Sequence, residues 1–182
     1  QDEKGAWLAP KELEDPVNTE FDEGTPSFGP GGNTMYYTYC AQDPEGHRTA
    51  EIYVSNRSSA QWTKGTRAAI VKDSVTALGH PAISPDAKYL YFVSDAVGGF
   101  GGKDIFRARV IGNDFGPMEN LGEDINTPGD EMFPYVRDSV TLYFASNGHP
   151  GMGGLDLFKA TLDSTGRWHV ANLGAPINSM GD

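Results

Sequence analysis

Cysteine is almost absent: Cys40 stands alone among 182 residues. One cysteine excludes an internal disulfide framework and a cysteine-built zinc site. It lies in the aromatic run TMYYTYC at 34–40, where a free thiol packs as a small hydrophobe. Positive charge is scarce too. Lys and Arg number 14 against 25 Asp and Glu, for a formal net charge of −11. That balance argues against nucleic acid and against anionic membrane surfaces, which both need clustered basic residues. No apolar run approaches the roughly 20 residues of a membrane span. A cationic start followed by an apolar core is missing, so no signal peptide is read, and this does not assign the chain to the cytoplasm. Capped segments with a 3.6-residue period are missing as well, which sets helical folds aside.

What is present is aromatic and turn-rich. There are 9 Phe, 8 Tyr and 3 Trp, too many for a disordered chain. With them come 23 glycines and 12 prolines, which imply frequent turns.

The chain repeats. Trp7, Trp62, Phe115 and Trp168 are spaced by 55, 53 and 53 residues. Pro26, Pro81 and Pro134 are spaced by 55 and 53. An acidic–aliphatic–aromatic triplet opens at Glu51, Asp104 and Asp156, with spacings of 53 and 52. An aromatic segment lies between each proline and triplet, around Tyr36, Tyr91 and Tyr143. The stretch before the proline repeats as LEDPVNT at 13–19, LGEDINT at 121–127 and LGAPINS at 173–179. The middle linker, 68–77, departs from this pattern and predicts a different path. Four markers in one phase establish tandem repeats.

Each repeat reads as four short strands separated by turn signals. The aromatic segments are apolar almost throughout, which suits strands buried on both faces. A four-stranded repeat of this length is the signature of a β-propeller blade. The fold expected is therefore all-β, with blades at about 23–71, 79–120 and 131–173. The outer strand of a preceding blade is expected near 6–10, and a linker to a following blade at 174–182. The prolines mark the innermost strands and the Trp/Phe series the outermost. Three blades do not close a ring, so the segment is expected to form half of a six-bladed propeller completed by further sequence, a second copy or another protein.

Two stretches carry a family resemblance: NLGEDINTPGDE at 120–131, followed by Phe133 and Pro134, and TLYFASNGHPGMGGLDLF at 141–158. They resemble the WD-like propeller repeats related to TolB, and most closely those of Bacteroidetes envelope proteins that carry an outer-membrane-protein-A-like domain. The likeness runs from about Trp7 to Asp182. It is loosest in the first repeat, where Glu45, Gly46 and His47 replace the glycine cluster. The resemblance implies a periplasmic or outer-membrane-associated protein whose partners are envelope proteins. It allows a role in type IX secretion, with peptidoglycan reached only through a domain this sequence does not contain.

The glycine cluster GGFGGKDIF at 98–106 resembles the calcium nonapeptide pattern G-G-x-G-x-D-x-U-x. One inserted residue spoils the fit, and the recurrence of about 52 residues does not supply the neighbouring turns such a site requires. Asp104 and Asp156, the residues that would hold calcium, are expected instead to cap backbone N–H groups, with the glycines supplying positive φ in a wide hairpin. A phosphate cradle lacks its Lys-Ser/Thr pair and its helix. The histidines, His47, His80, His149 and His169, neither recur in phase nor take metal-ligand spacing. His80 is expected near the propeller axis in a hydrogen-bonded role, while His149 and Met152, in an exposed turn, are the candidate partner contacts. The Trp/Phe series is expected to pack sheets rather than platform ligands.

No nucleophile elbow is present. No catalytic residue, metal or cofactor is assigned. Three function classes remain: a non-enzymatic interaction scaffold of the cell envelope, a peptide- or glycan-binding propeller module, and the accessory propeller of a peptidase or glycosidase. The first leads. The architecture has a direct check: a far-UV circular dichroism spectrum dominated by β-structure is expected, and substantial helix would overturn it.

Overall fold

The computed structural model describes residues 5–10, 12–13, 15–42, 46, 48–59, 61–72 and 76–181. These residues form three antiparallel sheets, each built from strands in sequence order. The first contains β1 (Asp22–Phe28), β2 (Thr34–Gln42), β3 (Arg48–Ser58) and an outer strand in two pieces, β4 (Gln61–Trp62) and β5 (Thr66–Arg67). The second contains β6 (Leu78–Ile83), β7 (Tyr89–Ser94), β8 (Asp104–Ile111) and β9 (Asp114–Asn120). The third contains β10 (Glu131–Asp138), β11 (Thr141–Ser146), β12 (Asp156–Leu162) and β13 (Trp168–Asn172). The predicted phase holds at the level of register: Tyr36, Tyr91 and Tyr143 face Val54, Arg107 and Lys159 on equivalent rungs.

Alternation explains how an apolar strand serves two neighbours. Along β7, Leu90 and Phe92 point to the first sheet and join Tyr36, Ile52, Leu78 and Phe106 in one core. Tyr91 and Val93 point the other way, into a second core with Ile105, Ile125, Leu142, Phe144 and Phe158. The sheets thus stack face to face as blades. The third core, Val17 with Met35 and Tyr37, lies on the outer face of the first blade. Burial there, with the charge of Glu23 behind it, pushes the Tyr37 phenol up to about 12.

The linkers are held by a repeated polar latch. Asn126 accepts the Ile105 N–H at 2.8 Å and donates to the Ile105 carbonyl at 3.0 Å and to Asn120 at 2.8 Å. Asn178 does the same with Leu157 N–H (2.9 Å), Leu157 carbonyl (2.9 Å) and Asn172 (2.7 Å). The latch carries the next residues across to the following blade. There Glu131, fully buried, accepts the Thr127 N–H at 2.8 Å and the Thr127 and Ser146 hydroxyls at 2.6 Å. The middle linker differs, as its sequence indicates. Arg67 stands where the repeat has Asn120; it pairs with Glu51 at 2.5 Å and reaches the Val71 carbonyl at 3.3 Å.

Several expectations need correction. Trp7 lies in no strand and is 86% exposed; among the described residues no neighbouring strand pairs with 5–10. Glu51 does not open its strand, because the β2–β3 hairpin runs three pairs further, to Gln42 and Arg48. The outer strand of the first blade is interrupted, and at the break the Tyr37 hydroxyl lies so close to Gly65 that a Cβ would collide with it. His47, Glu45 and Asp182 lie outside the described residues.

The prolines mark more than an inner strand. Thr25, His80 and Phe133, each just before a repeat proline, have φ of 45°, 49° and 52°. The strand register slips at the same three places. Each is a β-bulge that turns one non-glycine residue into the left-handed region, a strained conformation for an L side chain. Proline suits the next position because a bulge leaves a donor unneeded.

Equivalent positions give a sharp energetic test. Ile125 is fully buried, whereas Ile177, at the same place in the next linker, is 59% exposed. At concentrations where the chain is monomeric, Ile125→Ala is expected to cost about 2–5 kcal/mol in urea unfolding, and Ile177→Ala less than about 0.5 kcal/mol. Equal costs would mean that Ile177 is covered.

Candidate functional site

The glycine loops resolve into caps. Asp104 opens β8 and accepts the Phe100 N–H at 2.6 Å and the Asn120 amide at 2.7 Å, both on Oδ2. Asp156 opens β12 and accepts the N–H groups of Met152 and Gly153, the latter at 3.3 Å. Both carboxylates are buried. The glycines are needed for room rather than for positive φ, which only Gly98 adopts within 98–102. A Cβ on Gly99 would strike the Asp104 carboxylate, one on Gly151 would strike Asp156, and one on Gly101 would strike the Thr127 carbonyl. The loops aim N–H donors at their carboxylates, the wrong polarity for a cation shell of six or more oxygens. One oxygen, Asp104 Oδ1, is buried and takes no hydrogen bond among the described residues. No group of three or more His, Cys, Asp and Glu converges there or elsewhere among them.

His149 is half-buried against the rings of Phe144 and Phe158, at 5.7 and 5.1 Å, with Nε2 placed 2.8 Å from the Ile125 carbonyl of the preceding linker. It therefore ties two blades together. Met152 remains 47% exposed at the loop tip. His169 is a surface partner of Asp163 at 2.7 Å. The outer-strand aromatics pack: Phe115 on Tyr36, Trp62 on Phe28, and Trp168 against the core between the second and third blades.

One cluster gathers at the bulges. The Thr25 and Thr38 hydroxyls meet at 2.6 Å, and Thr38 Oγ1 accepts the His80 N–H at 2.9 Å. The His80 ring stacks on Phe133 at 4.1 Å and 12°, with Nδ1 accepting the Phe133 N–H at 3.4 Å. Burial, aided by the nearby Lys103 charge, pushes the His80 pKa down, so the ring is neutral with its proton on Nε2. Beside this row opens a cavity of about 180 Å³, lined by Thr38, Cys40, Ala50, Ala77, Gly79, His80, Val93, Ser94, Asp95, Lys103 and Met132. It was missed in the sequence because its walls come from three blades. The signal that would find it is an alignment of the repeats, which shows small residues at several of its positions. Burial raises the Cys40 thiol pKa, and Asp22 adds to this against Arg48; the thiol is a wall of the cavity, not an activated nucleophile.

A second sheet face stands open. On the third blade Tyr135 is 63% exposed, Leu157 42% and Ile177 59%. Their counterparts toward the third blade on the second, Ala82, Ile105 and Ile125, are buried.

No known sequence-family profile matches the chain, and no curated protein matches it by sequence. Solved structures do match. A puromycin-hydrolysing peptidase from Mycobacterium tuberculosis superposes with a TM-score of 0.54 at 16% identity, over 87% of this chain and 24% of the peptidase. A thermostable family-43 glycoside hydrolase superposes with a TM-score of 0.52 at 17% identity, over 90% of this chain and 57% of the hydrolase. The chain thus spans about a quarter and rather more than half of these two proteins. At such identities the likeness shows the fold alone: an all-β, propeller-like array of three blades, matching part of the propeller domains of longer chains.

Proposed function

We propose that this chain is a non-enzymatic protein-interaction scaffold of the bacterial cell envelope, serving type IX secretion. The observation that carries the interaction role is the open face of the third blade. Its linker is already folded: Asn178 is latched to the Leu157 backbone, and Ile177 beside it has most of its surface in water. An apolar face with a preformed linker is a ready seat for another β-sheet. The matching chemistry is that of the joint between the second and third blades: a buried carboxylate for the linker hydroxyl and an apolar Leu/Phe face for the isoleucine. The envelope setting rests on the resemblance of 120–131 and 141–158 to envelope propeller repeats.

A second reading, a peptide- or glycan-binding propeller module, is favoured by the cavity beside His80. The accessory propeller of a peptidase or glycosidase is the remaining alternative, prompted by the longer hydrolase chains it superposes on.

The scaffold reading has three expected outcomes. Native mass spectrometry of the purified chain shows concentration-dependent association. Paired substitution Leu157→Asp and Ile177→Asp abolishes it without changing the circular dichroism. Peptide p-nitroanilides and nitrophenyl glycosides are not turned over above buffer. Hydrolysis lost on a single substitution would overturn the non-enzymatic part, and association unaffected by the paired charges would overturn the interface. Recovery from source cells outside the envelope fraction would overturn the location.

A further inference from the structure

The joints between blades should be alike, because the repeats are in register, yet they are not. Between the second and third blades the seam is zipped. Lys103 and Asp130 form a parallel bridge, the Glu131 N–H donates to the Lys103 carbonyl at 2.7 Å, and the Gly102 N–H donates to the Gly129 carbonyl at 3.0 Å. Asp95, Lys103, Asp130 and Met132 occupy four repeat positions along this seam. At the same repeat positions between the first and second blades stand Cys40, Ala50, Ala77 and Gly79. All four of these small residues line the cavity of about 180 Å³. The second seam shows what side chains this architecture accommodates at those positions, so the small residues at the first are not imposed by the repeat.

The lining says what would fill it. The walls are methyl, methylene and thiol groups from Cys40, Ala50, Ala77, Val93 and Met132. A space of about 180 Å³, lined this way, has room and apolar wall for a branched aliphatic chain. The mouth carries charges of both signs. Lys103, half-exposed, lies 3.9 Å from Asp130, too far for a close pair. Asp95, an exposed residue of the lining, uses Oδ1 to accept the Ala77 N–H at 3.0 Å. His80, with Nδ1 already occupied, adds an Nε2–H donor.

We propose that this cavity binds a free aliphatic α-amino acid, with the side chain between Ala50, Gly79 and Val93, the carboxylate at Lys103 and the ammonium at Asp95. A zwitterion satisfies both charges, whereas a peptide end or a fatty acid offers only one. This site is independent of the scaffold reading and stands if the open face of the third blade has no partner.

The repeat itself supplies mild variants. Gly79→Met inserts the residue that the next blade carries at this position, and ordinary space exists for a Cβ, whose nearest neighbour would be Thr38 Cγ2 at 3.5 Å. Asp95→Asn inserts the next blade's Asn147, which accepts the Asp130 N–H at 2.8 Å just as Asp95 accepts that of Ala77. Calorimetric titration of the full chain with leucine, N-acetyl-leucine and leucinamide tests the proposal. Leucine is expected to bind with a dissociation constant of about 1 mM or tighter, and both capped analogues at least about tenfold more weakly. Gly79→Met is expected to abolish binding at an unchanged thermal midpoint, and Asp95→Asn to weaken leucine about tenfold while leaving N-acetyl-leucine as it was. Absence of saturable leucine binding up to about 10 mM overturns the proposal. Equal affinity for N-acetyl-leucine overturns it in favour of a peptide C terminus, and equal affinity for leucinamide in favour of an N terminus. If Gly79→Met does not fold, the three-ligand series on the parent chain and Asp95→Asn decide.

Discussion

The middle strands of this molecule are apolar on both faces, and a strand of that kind is stable only when both faces are covered. β7 shows how this is met: Leu90 and Phe92 are buried against one sheet, Tyr91 and Val93 against the next. One antiparallel sheet cannot bury both of its own faces, so blades must stack and each linker must cross from one to the next. The linker's aliphatic residue then becomes part of the seal. Val17 seals the first blade against Met35 and Tyr37, and Ile125 seals the third against Leu142 and Phe144. Ile177 has the same place in the pattern and no blade to seal among the described residues.

Apolar stacking alone would leave the linkers loose, since burying a chain crossing demands partners for its peptide groups. The asparagine latch answers that demand. One side-chain amide satisfies both the N–H and the carbonyl of Ile105 at the point where the linker passes over β8. An amide suits the task because it offers an acceptor and two donors in one plane. Glu131 completes the crossing by gathering a backbone N–H and two hydroxyls on one buried carboxylate. A buried carboxylate is tolerable when its oxygens are met by donors in this way. The first blade reaches the same end by other means, with Arg67 spanning Glu51 and the Val71 carbonyl. The requirement is conserved from blade to blade, and the residue that meets it is not.

Most of this fold was legible in the sequence. Aromatic and acidic marks recurring every 52 to 55 residues gave the repeat, and the unbroken apolar strands gave the stacking. What stayed hidden was set by approach distances rather than by pattern. The glycines at 99, 101 and 151 are spaced by the carboxylates and carbonyls that crowd them, which no local rule of turn conformation reveals. The bulges at Thr25, His80 and Phe133 read as extended residues, because a residue before proline is ordinarily pushed to the β region. His149 read as an exposed turn residue, since its anchor, the Ile125 carbonyl, arrives from 24 positions away. Trp7 shared the phase of the outer-strand aromatics but has no strand to join, so phase alone did not make an element.

A repeat also changes how function can be read. The fold is shared with a peptidase and a glycoside hydrolase at about one identical residue in six, and a fold of this kind hosts unrelated activities. Features present in every blade, such as the bulges and the outer-strand aromatics, are therefore best assigned to architecture. Features that break the repeat are the informative ones, because the other blades show what the architecture alone would have placed there. By that measure His80 is not distinguished by its strained backbone, which Thr25 and Phe133 share. It is distinguished by what surrounds it: a joint with alanine, cysteine and glycine where the next joint has a lysine, two aspartates and a methionine. Those small side chains border an unfilled space of about 180 Å³ in a fold whose interior is otherwise close-packed, which a purely structural role does not require.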